Sequence, residues 1–555
     1  MTLVKLAGGR IVDPANKRDG VGDLFLRDGR IVADPGPGAK LDQTYDLTGR
    51  VVMAGAIDMH SHICGGKVNL ARTLLLEDHR ADSEQRTELK RGGGGRATPS
   101  TFVTGYRYAE MGYTAAFEPA MVAGNARHAH AELADTPMID KGCYVMLGNE
   151  DVLLRMMAAN EGQSAINDYV GWMLQATQAL AVKAVNPGGI SAFKFNAREL
   201  GLDAAGPHYG VTPRRIIAAL ARAVHELGVV HPLHLHCNNL GVPGNLQTTL
   251  QTMGASEGVP LHLTHVQFHS YGTEGDRKFS SGAAEIAEAV NRNKHISVDV
   301  GQIMFGQTIT ASGDTMMQYR NRGFAKPRKW LSMDIECQGG CGLVPFRYRD
   351  RNFVNALQWA IGLELFLLVE DPWRIFLTTD HPNGAPFTMY PQLIRLLMDR
   401  GYRNDMLRTI NPAAAAASNL GSIAREYTLS EIAILTRAGA ARILGLSDRG
   451  HLAPGGVADI AVYTDQADKA AMFGRPDYVF KDGRLIVRDG RLIAMAWGAT
   501  HVARPAFDRA IERSLRDHFE RFQTVRLDNF AIADGEIEDG GLGRLVKYAT
   551  QGPGA

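Results

Sequence analysis

The sequence predicts an α/β protein: a (β/α)₈ barrel of the TIM type, with a small β-sandwich domain formed by both chain ends. Three observations predict it. The two ends share a strand-and-turn pattern that the middle lacks. The middle, residues 53–440, alternates strand-like runs with helical periods. Polar residues close several of those strand-like runs, where barrels of this kind gather their reactive groups.

Residues 1–52 carry short apolar runs divided by tight turns, as in "VKLAGGRIVDP", "DLFLRDGRIVAD" and "TYDLTGRVVM". Asp-Gly and Gly-Arg pairs between alternating runs are hairpin signals. The pattern returns in 441–500, where "KDGRLIV" and "RDGRLI" echo the earlier "RDGRIV". One β-sandwich built from both segments accounts for the echo. Residues 501–555 are expected to form a helical tail, with Phe507, Ile511, Leu515, Phe519 and Phe522 on one stripe packed against the chain's own body.

In the middle, "PLHLHCNNLG", "PLHLTHVQFHS", "HISVDVGQ" and "RIFLTTDHPNG" read as strands that end in polar residues. Segments such as "TPRRIIAALARAVHELG" between them repeat apolar residues every three to four positions, the period of a helix. An open doubly wound sheet is the alternative architecture. No G-x-G-x-x-G follows a first strand, which argues against a dinucleotide-binding fold.

Composition narrows the class. The chain has 555 residues, 45% of them hydrophobic and 21% charged, with a formal net charge of +1. It reads as an ordinary globular protein with no global attraction to nucleic acid or to an anionic membrane. The stretch "WAIGLELFLLVEDPWRIFL" carries Glu364, Glu370 and Asp371, so it reads as a buried helix leading into a strand. The N-terminus shows no signal-peptide pattern. Five scattered cysteines suggest reduced thiols and a cytoplasmic location, and the close pair Cys337 and Cys341 reads as a Gly-rich turn.

Histidines and one aspartate carry the chemistry. His60 and His62 stand two apart after the apolar run "VVMAGAID", so on a strand both face one side. His236 ends "HPLHLH", with His234 one step deeper on the same face, and His265 ends "LHLTH". His262 is three residues from His265 and is expected to face the other way. Asp380 follows "RIFLTT", where a carboxylate is costly to bury unless it is paired or metal-bound. Any one of these is a weak signal; four strand ends with His or Asp form a strong one.

On these residues the chain resembles the amidohydrolase superfamily. His60 and His62 match its first strand, His236 and His265 strands five and six, and Asp380 strand eight. Longer phrases narrow the resemblance: "AGAIDMHSHICGGKVN", "PSTFVTGYRYAEMGYT", "VKAVNPGG", "HLHCNNLGVPGN", "THVQFHSYG" and "FLTTDHPNGAPF". Over about residues 1–500 they resemble the A-subunit family of formylmethanofuran dehydrogenase and of the bacterial formyltransferase/hydrolase complex.

The resemblance implies two zinc ions bridged by a carboxylated lysine. Lys183, before "VNPGG", is the matching residue, and Lys194 in "AFKF" competes for the role. His60, His62 and Asp380 would hold one ion, His236 and His265 the other, with CO2-derived carbamate on Lys183 as the bridge. Asp380 would also be the catalytic acid–base. Asn186 and Asn238 match positions that could orient substrate or simply shape turns, and His269 reads as a loop histidine. Cys64 and His381 depart from residues found in relatives and carry no assigned role.

The implied activity is hydrolysis of the N-formyl amide of formylmethanofuran to formate and methanofuran, in one-carbon metabolism. Implied partners are the other subunits of the complex, including a formyltransferase subunit. With 45 of 60 basic residues being arginine, the composition leans to the bacterial complex rather than the dehydrogenase. A cyclic amidohydrolase of hydantoinase or dihydroorotase type and a non-catalytic structural subunit are the other readings.

Overall fold

The structure is a computed structural model that describes residues 3–194, 196–335, 339–538 and 543–550. Eight parallel strands form the barrel: β1 (Ala56–Asp58), β2 (Tyr113–Met121), β3 (Asp140–Leu147), β4 (Ala181–Val185), β5 (Leu233–His236), β6 (Leu261–Leu263), β7 (Ile296–Asp299) and β8 (Ile375–Phe376). Each pairs with the next in chain order. A bridge between Ser61 and His381, just past β1 and β8, joins the first strand end to the last. The His62 N–H donates to the His381 carbonyl at 2.7 Å beside it.

Helical crossovers join these strands, as parallel pairing requires. Between β4 and β5, Pro213–Glu226 starts on Thr212, whose side chain accepts from Arg215 N at 3.4 Å, with proline in the first turn. Its apolar stripe, Ile216, Ile217, Leu220 and Val224, is buried on the barrel. The most apolar stretch is the helix Phe353–Leu368 between β7 and β8. Its buried Glu364 is held by the Ser281 hydroxyl and the Asn419 N–H, both at 2.5 Å. Among the described residues no helix is long and apolar enough to cross a membrane.

Both chain ends share a nine-stranded sheet. Arg50–Ala54 from the first segment pairs antiparallel with Ile460–Thr464 from the second. Leu6, Ile11, Leu24, Val52, Ile460, Val462 and Phe480 fill one core from both segments. The tail is only partly helical. Its helix Ile511–Phe522 buries Leu515 and Phe519, the latter edge-on to Trp172 at 6.2 Å. Its strands Thr500–Arg504 and Leu545–Ala549 instead extend the barrel sheet beside the start of β3.

After β7 the chain departs from plain β/α alternation. Gly306–Ser312, Leu331–Ile335 and Gly339–Tyr348 form a three-stranded antiparallel sheet, with the helix Thr315–Arg320 between the first two. This lid stands over the C-terminal ends of the barrel strands and walls the cavity there.

Candidate metal centre

The C-terminal strand ends deliver the site. His60 and His62 follow β1, Lys183 lies on β4, His236 ends β5, His265 follows β6 and Asp380 follows β8; all six are buried. His60 Nε2 is 2.9 Å from Asp380 Oδ1, and His62 Nε2 is 3.1 Å from the same oxygen. The His236 and His265 rings lie 4.5 Å apart, centre to centre, and His269 lies 5.1 Å from His236. The His60 and His265 rings, one from each group, are 5.5 Å apart. Donor atoms in each of the triads His60–His62–Asp380 and His236–His265–His269 lie within 4.8 Å of one another.

The backbone is unusual where this convergence happens. His265 has φ +35°, Asp380 φ +49° and Asn186 φ +44°, all left-handed. Such conformations in non-glycine residues concentrate at functional sites. Gly301, after β7, makes room for His265: a Cβ on it would lie 2.4 Å from the His265 Cβ.

Burial sets the protonation states. Desolvation lowers the Lys183 amine to a pKa of about 7, and the nearby Asp299 and Asp380 carboxylates do not offset it. Desolvation lowers His265 to about 3 and holds His236 and His269 well below the ordinary histidine value. These rings are neutral, with lone pairs free to coordinate. Burial opposes ionisation of Asp380, but His265 and His60 outweigh it and hold the carboxyl well below its usual range.

The donor set fits metal ions. His236 Nε2, His265 Nδ1 and both nitrogens of His269 are buried with no hydrogen-bond partner. An unsatisfied buried polar atom costs about 1–3 kcal/mol. Partnerless nitrogens on facing neutral rings are the donors that a metal ion takes.

Lys183 and Lys194 are separated by the structure. Lys183 lines the same cavity as His62, His236, His265 and Asp380. Lys194 lies on the short helix Ile190–Lys194 and pairs with Asp334, away from the histidines. The expectation for His262 is overturned. Its Nε2 lies 3.1 Å from Asp299 Oδ2, inside the barrel with His60 and His234. Strand β6 stops at Leu263, so the period of two does not reach His265, whose left-handed backbone turns it back to the same side. His269, expected as a loop histidine, stands in the second donor triad.

Sequence reasoning also missed Asp299 and Glu118. Asp299 accepts from His60 Nδ1 at 3.1 Å and from the His265 N–H at 2.8 Å. Glu118 takes His62 Nδ1 at 2.9 Å and Lys67 Nζ at 2.8 Å, and also the N–H groups of Ile63 and Cys64. Both carboxylates end or interrupt apolar runs, "HISVD" and "AAFEP", which is the signal that marked Asp380. Such partners fix ring orientation behind a ligand set. Asn238 donates to Pro187 O at 3.5 Å, a turn contact, whereas Asn186 reaches Asp314 of the lid at 3.4 Å. Cys64 is a buried free thiol and His381 Nδ1 accepts from Phe387 N at 3.1 Å; Cys337 lies outside the described residues.

The cavity between the strand ends and the lid has a volume of about 830 Å³. That is the size of a small-molecule site. Lys67, Asn383 and Tyr348 share its wall with the candidate ligands.

Comparisons with known proteins give the family and the fold. The amidohydrolase family profile matches residues 43–491. The chain is 45% identical over 542 residues to the Fhc A subunit from the formyltransferase/hydrolase complex of Methylorubrum extorquens, covering 97% of this chain and 98% of that one. It is 39% identical over 556 residues to protein FwdA of Methanocaldococcus jannaschii, covering 95% and 96% of the two. Among solved structures, the M. extorquens FhcABCD complex with methylofuran contains a chain that superposes with TM-score 0.93 at 43% identity, covering 99% of this chain and 100% of that one.

Proposed function

Because the chain belongs to the amidohydrolase family, we propose that it hydrolyses the N-formyl amide of formylmethanofuran to formate and methanofuran, as the A subunit of a formyltransferase/hydrolase complex. The observation that carries the reading is the pair of donor triads with a near-neutral lysine in one cavity, in a chain aligned end to end with a member of a hydrolase complex.

In this reading His60, His62 and Asp380 would hold one zinc ion, and His236 and His265 would hold the other. Lys183, as a carbamate, would supply the ligand they share. A neutral Lys183 amine adds to carbon dioxide and releases one proton, leaving an anion suited to two cations; an ammonium there would be repelled. When bound, a metal pair lowers the pKa of water from about 16 towards 7 and polarises a carbonyl.

The protein's own groups do the rest. Asp380, ionised by its histidine neighbours, takes the proton of the attacking water and delivers it to the amine nitrogen as the C–N bond breaks. Asn383 Nδ2 donates to Asp380 Oδ1 at 3.0 Å and orients it. Glu118 and Asp299 fix the rings of His62 and His60.

The test is metal analysis and turnover. The purified protein is expected to hold about two zinc ions per chain and to release formate from formylmethanofuran. Protein that holds no metal, or that opens dihydroorotate or a hydantoin while leaving the formyl amide intact, refutes the reading. Subunits recovered with the chain distinguish the two complexes: a formyltransferase subunit is expected, and a redox subunit would assign it to the dehydrogenase.

A further inference from the structure

The lid brings a carboxylate to the cavity that the hydrolysis above leaves unused. Asp314 precedes the helix Thr315–Arg320 and lies on the cavity wall. Gly313 seats it: a Cβ there would stand 3.2 Å from Asn186 Nδ2 and 3.5 Å from Val185 Cγ1. The lid therefore rests on the C-terminal end of β4, the strand that carries Lys183.

The partners of Asp314 are both neutral and both use one oxygen. Ser312 Oγ donates to Oδ2 at 2.9 Å, and Asn186 Nδ2 approaches the same atom at 3.4 Å. Among the described residues no cationic side chain pairs with the carboxylate. Asn186 directs its amide N–H to Asp314, while its own Oδ1 is buried with no partner. A partnerless acceptor oxygen thus belongs to the side chain that touches a buried carboxylate lacking a cation. Such a corner favours N–H donors, and most of all a cation.

A formyl amide supplies both in turn. Its nitrogen carries one N–H before cleavage. After cleavage the nitrogen holds the proton delivered by Asp380, takes another from water, and becomes an ammonium group.

We propose that Asp314, backed by Asn186, is a specificity-determining residue that receives the nitrogen side of the substrate: it accepts the amide N–H and then pairs with the released ammonium. This rests on the formyl-amide reading above. It explains why the lid places a carboxylate, rather than an apolar side chain, on the wall of a desolvated cavity. Burial, its largest influence, raises the Asp314 carboxyl to about 6, so it is mostly ionised at neutral pH and ready for a cation.

The probes are furfurylamine and furfuryl alcohol, a primary amine and its neutral counterpart, applied to the zinc-loaded full-length protein. Binding is measured by calorimetry and inhibition by formate release. Asp314→Asn is expected to weaken furfurylamine at least tenfold and leave furfuryl alcohol within twofold, with KM for the formyl amide raised more than kcat is lowered. Asp314→Ser, uncharged and smaller, carries the same test should the amide variant not fold. Unchanged preference for the amine in a folded, zinc-replete variant overturns the proposal and leaves the hydrolase reading standing. Wild-type protein that releases no formate fails the hydrolase reading instead, and calorimetry with the two probes still reports on Asp314 directly.

Discussion

At the N-terminal end of β3, Asp140 sits in a set of buried charges that pair with one another, beside a His501 Nε2 that makes no hydrogen bond. Lys481 Nζ lies 3.1 Å from its Oδ1, Arg449 Nε 2.5 Å from its Oδ2, and His501 Nε2 3.4 Å from the same oxygen. Asp459 completes the set at 2.9 Å from Lys481. These residues come from the barrel, the terminal sheet and the tail, so the cluster ties the three together. At the C-terminal ends of the strands the polar cluster is open: His236, His265 and His269 keep partnerless nitrogens, and Lys183 is stripped of the solvent that would charge it. Two buried polar clusters in one barrel thus follow opposite rules. Charges matched within the chain serve the fold, while lone pairs left unmatched are available to a ligand.

Four experiments break or sharpen that contrast. The largest expected effect is at the open end. Lys183→Ala should lower formate release by more than a thousandfold, about 4 kcal/mol, and reduce bound zinc, with little change in thermal midpoint. Lys194→Ala should stay within about twofold on both counts, since Lys194 has an exposed side chain that pairs with the exposed Asp334. Normal turnover by Lys183→Ala would remove it from the site.

At the closed end, Asp140→Ala removes a carboxylate shared by Lys481 and Arg449, leaving them Asp459 and Asp448, and should cost about 3–5 kcal/mol in urea unfolding, while the folded fraction keeps its zinc. A stable variant would mean that the cluster is not a clasp. Next, Asn383→Ala removes a donor to Asp380 and should cost about 10–100-fold in activity or metal affinity, with about 1–3 kcal/mol lost in unfolding through the Ala311 N–H it leaves unpaired.

The last contrast is the pH dependence of stability, which rises with pH at both ends but in separate pH windows. Burial opposes ionisation of Asp140, but Lys481 and Arg449 outweigh it and depress its folded pKa well below the ordinary value. Its contribution is therefore complete above about pH 4 and fades as pH falls through the folded value; Asp140→Asn should flatten that acid limb. Lys183 has a folded pKa of about 7 against an unfolded value near ~10.4. Between those values the unfolded chain binds more protons, so metal-free protein should gain stability as pH rises from about 7 to 10. Lys183→Met should abolish that gain in unfolding curves recorded with chelator.

Much of this was legible in the sequence. The echo of "RDGRIV" in "KDGRLIV" predicted a β-structure shared by the two ends, and Arg50–Ala54 does pair with Ile460–Thr464. The strand-end histidines and Asp380 were visible because a polar residue closing an apolar run stands out against its neighbours. Glu118 and Asp299 gave the same signal more faintly, one inside a longer run and one after a single short strand.

What the sequence determined by itself was the inventory: which strand carries which donor, and that six of them end at one face of a barrel. Only the tertiary structure decided which atoms meet. The side-chain period of two holds only while the strand lasts, and His265, Asp380 and Asn186 all leave it through left-handed backbone. That is why His262 points inward against expectation and His269 joins the second triad. Lys183 and Lys194 lie eleven residues apart, and only the resemblance favoured Lys183 in the linear chain; in the fold one is buried on β4 and the other is paired on the surface. Asp314 reaches the cavity only because the lid folds back onto β4, a long-range contact that no local pattern encodes.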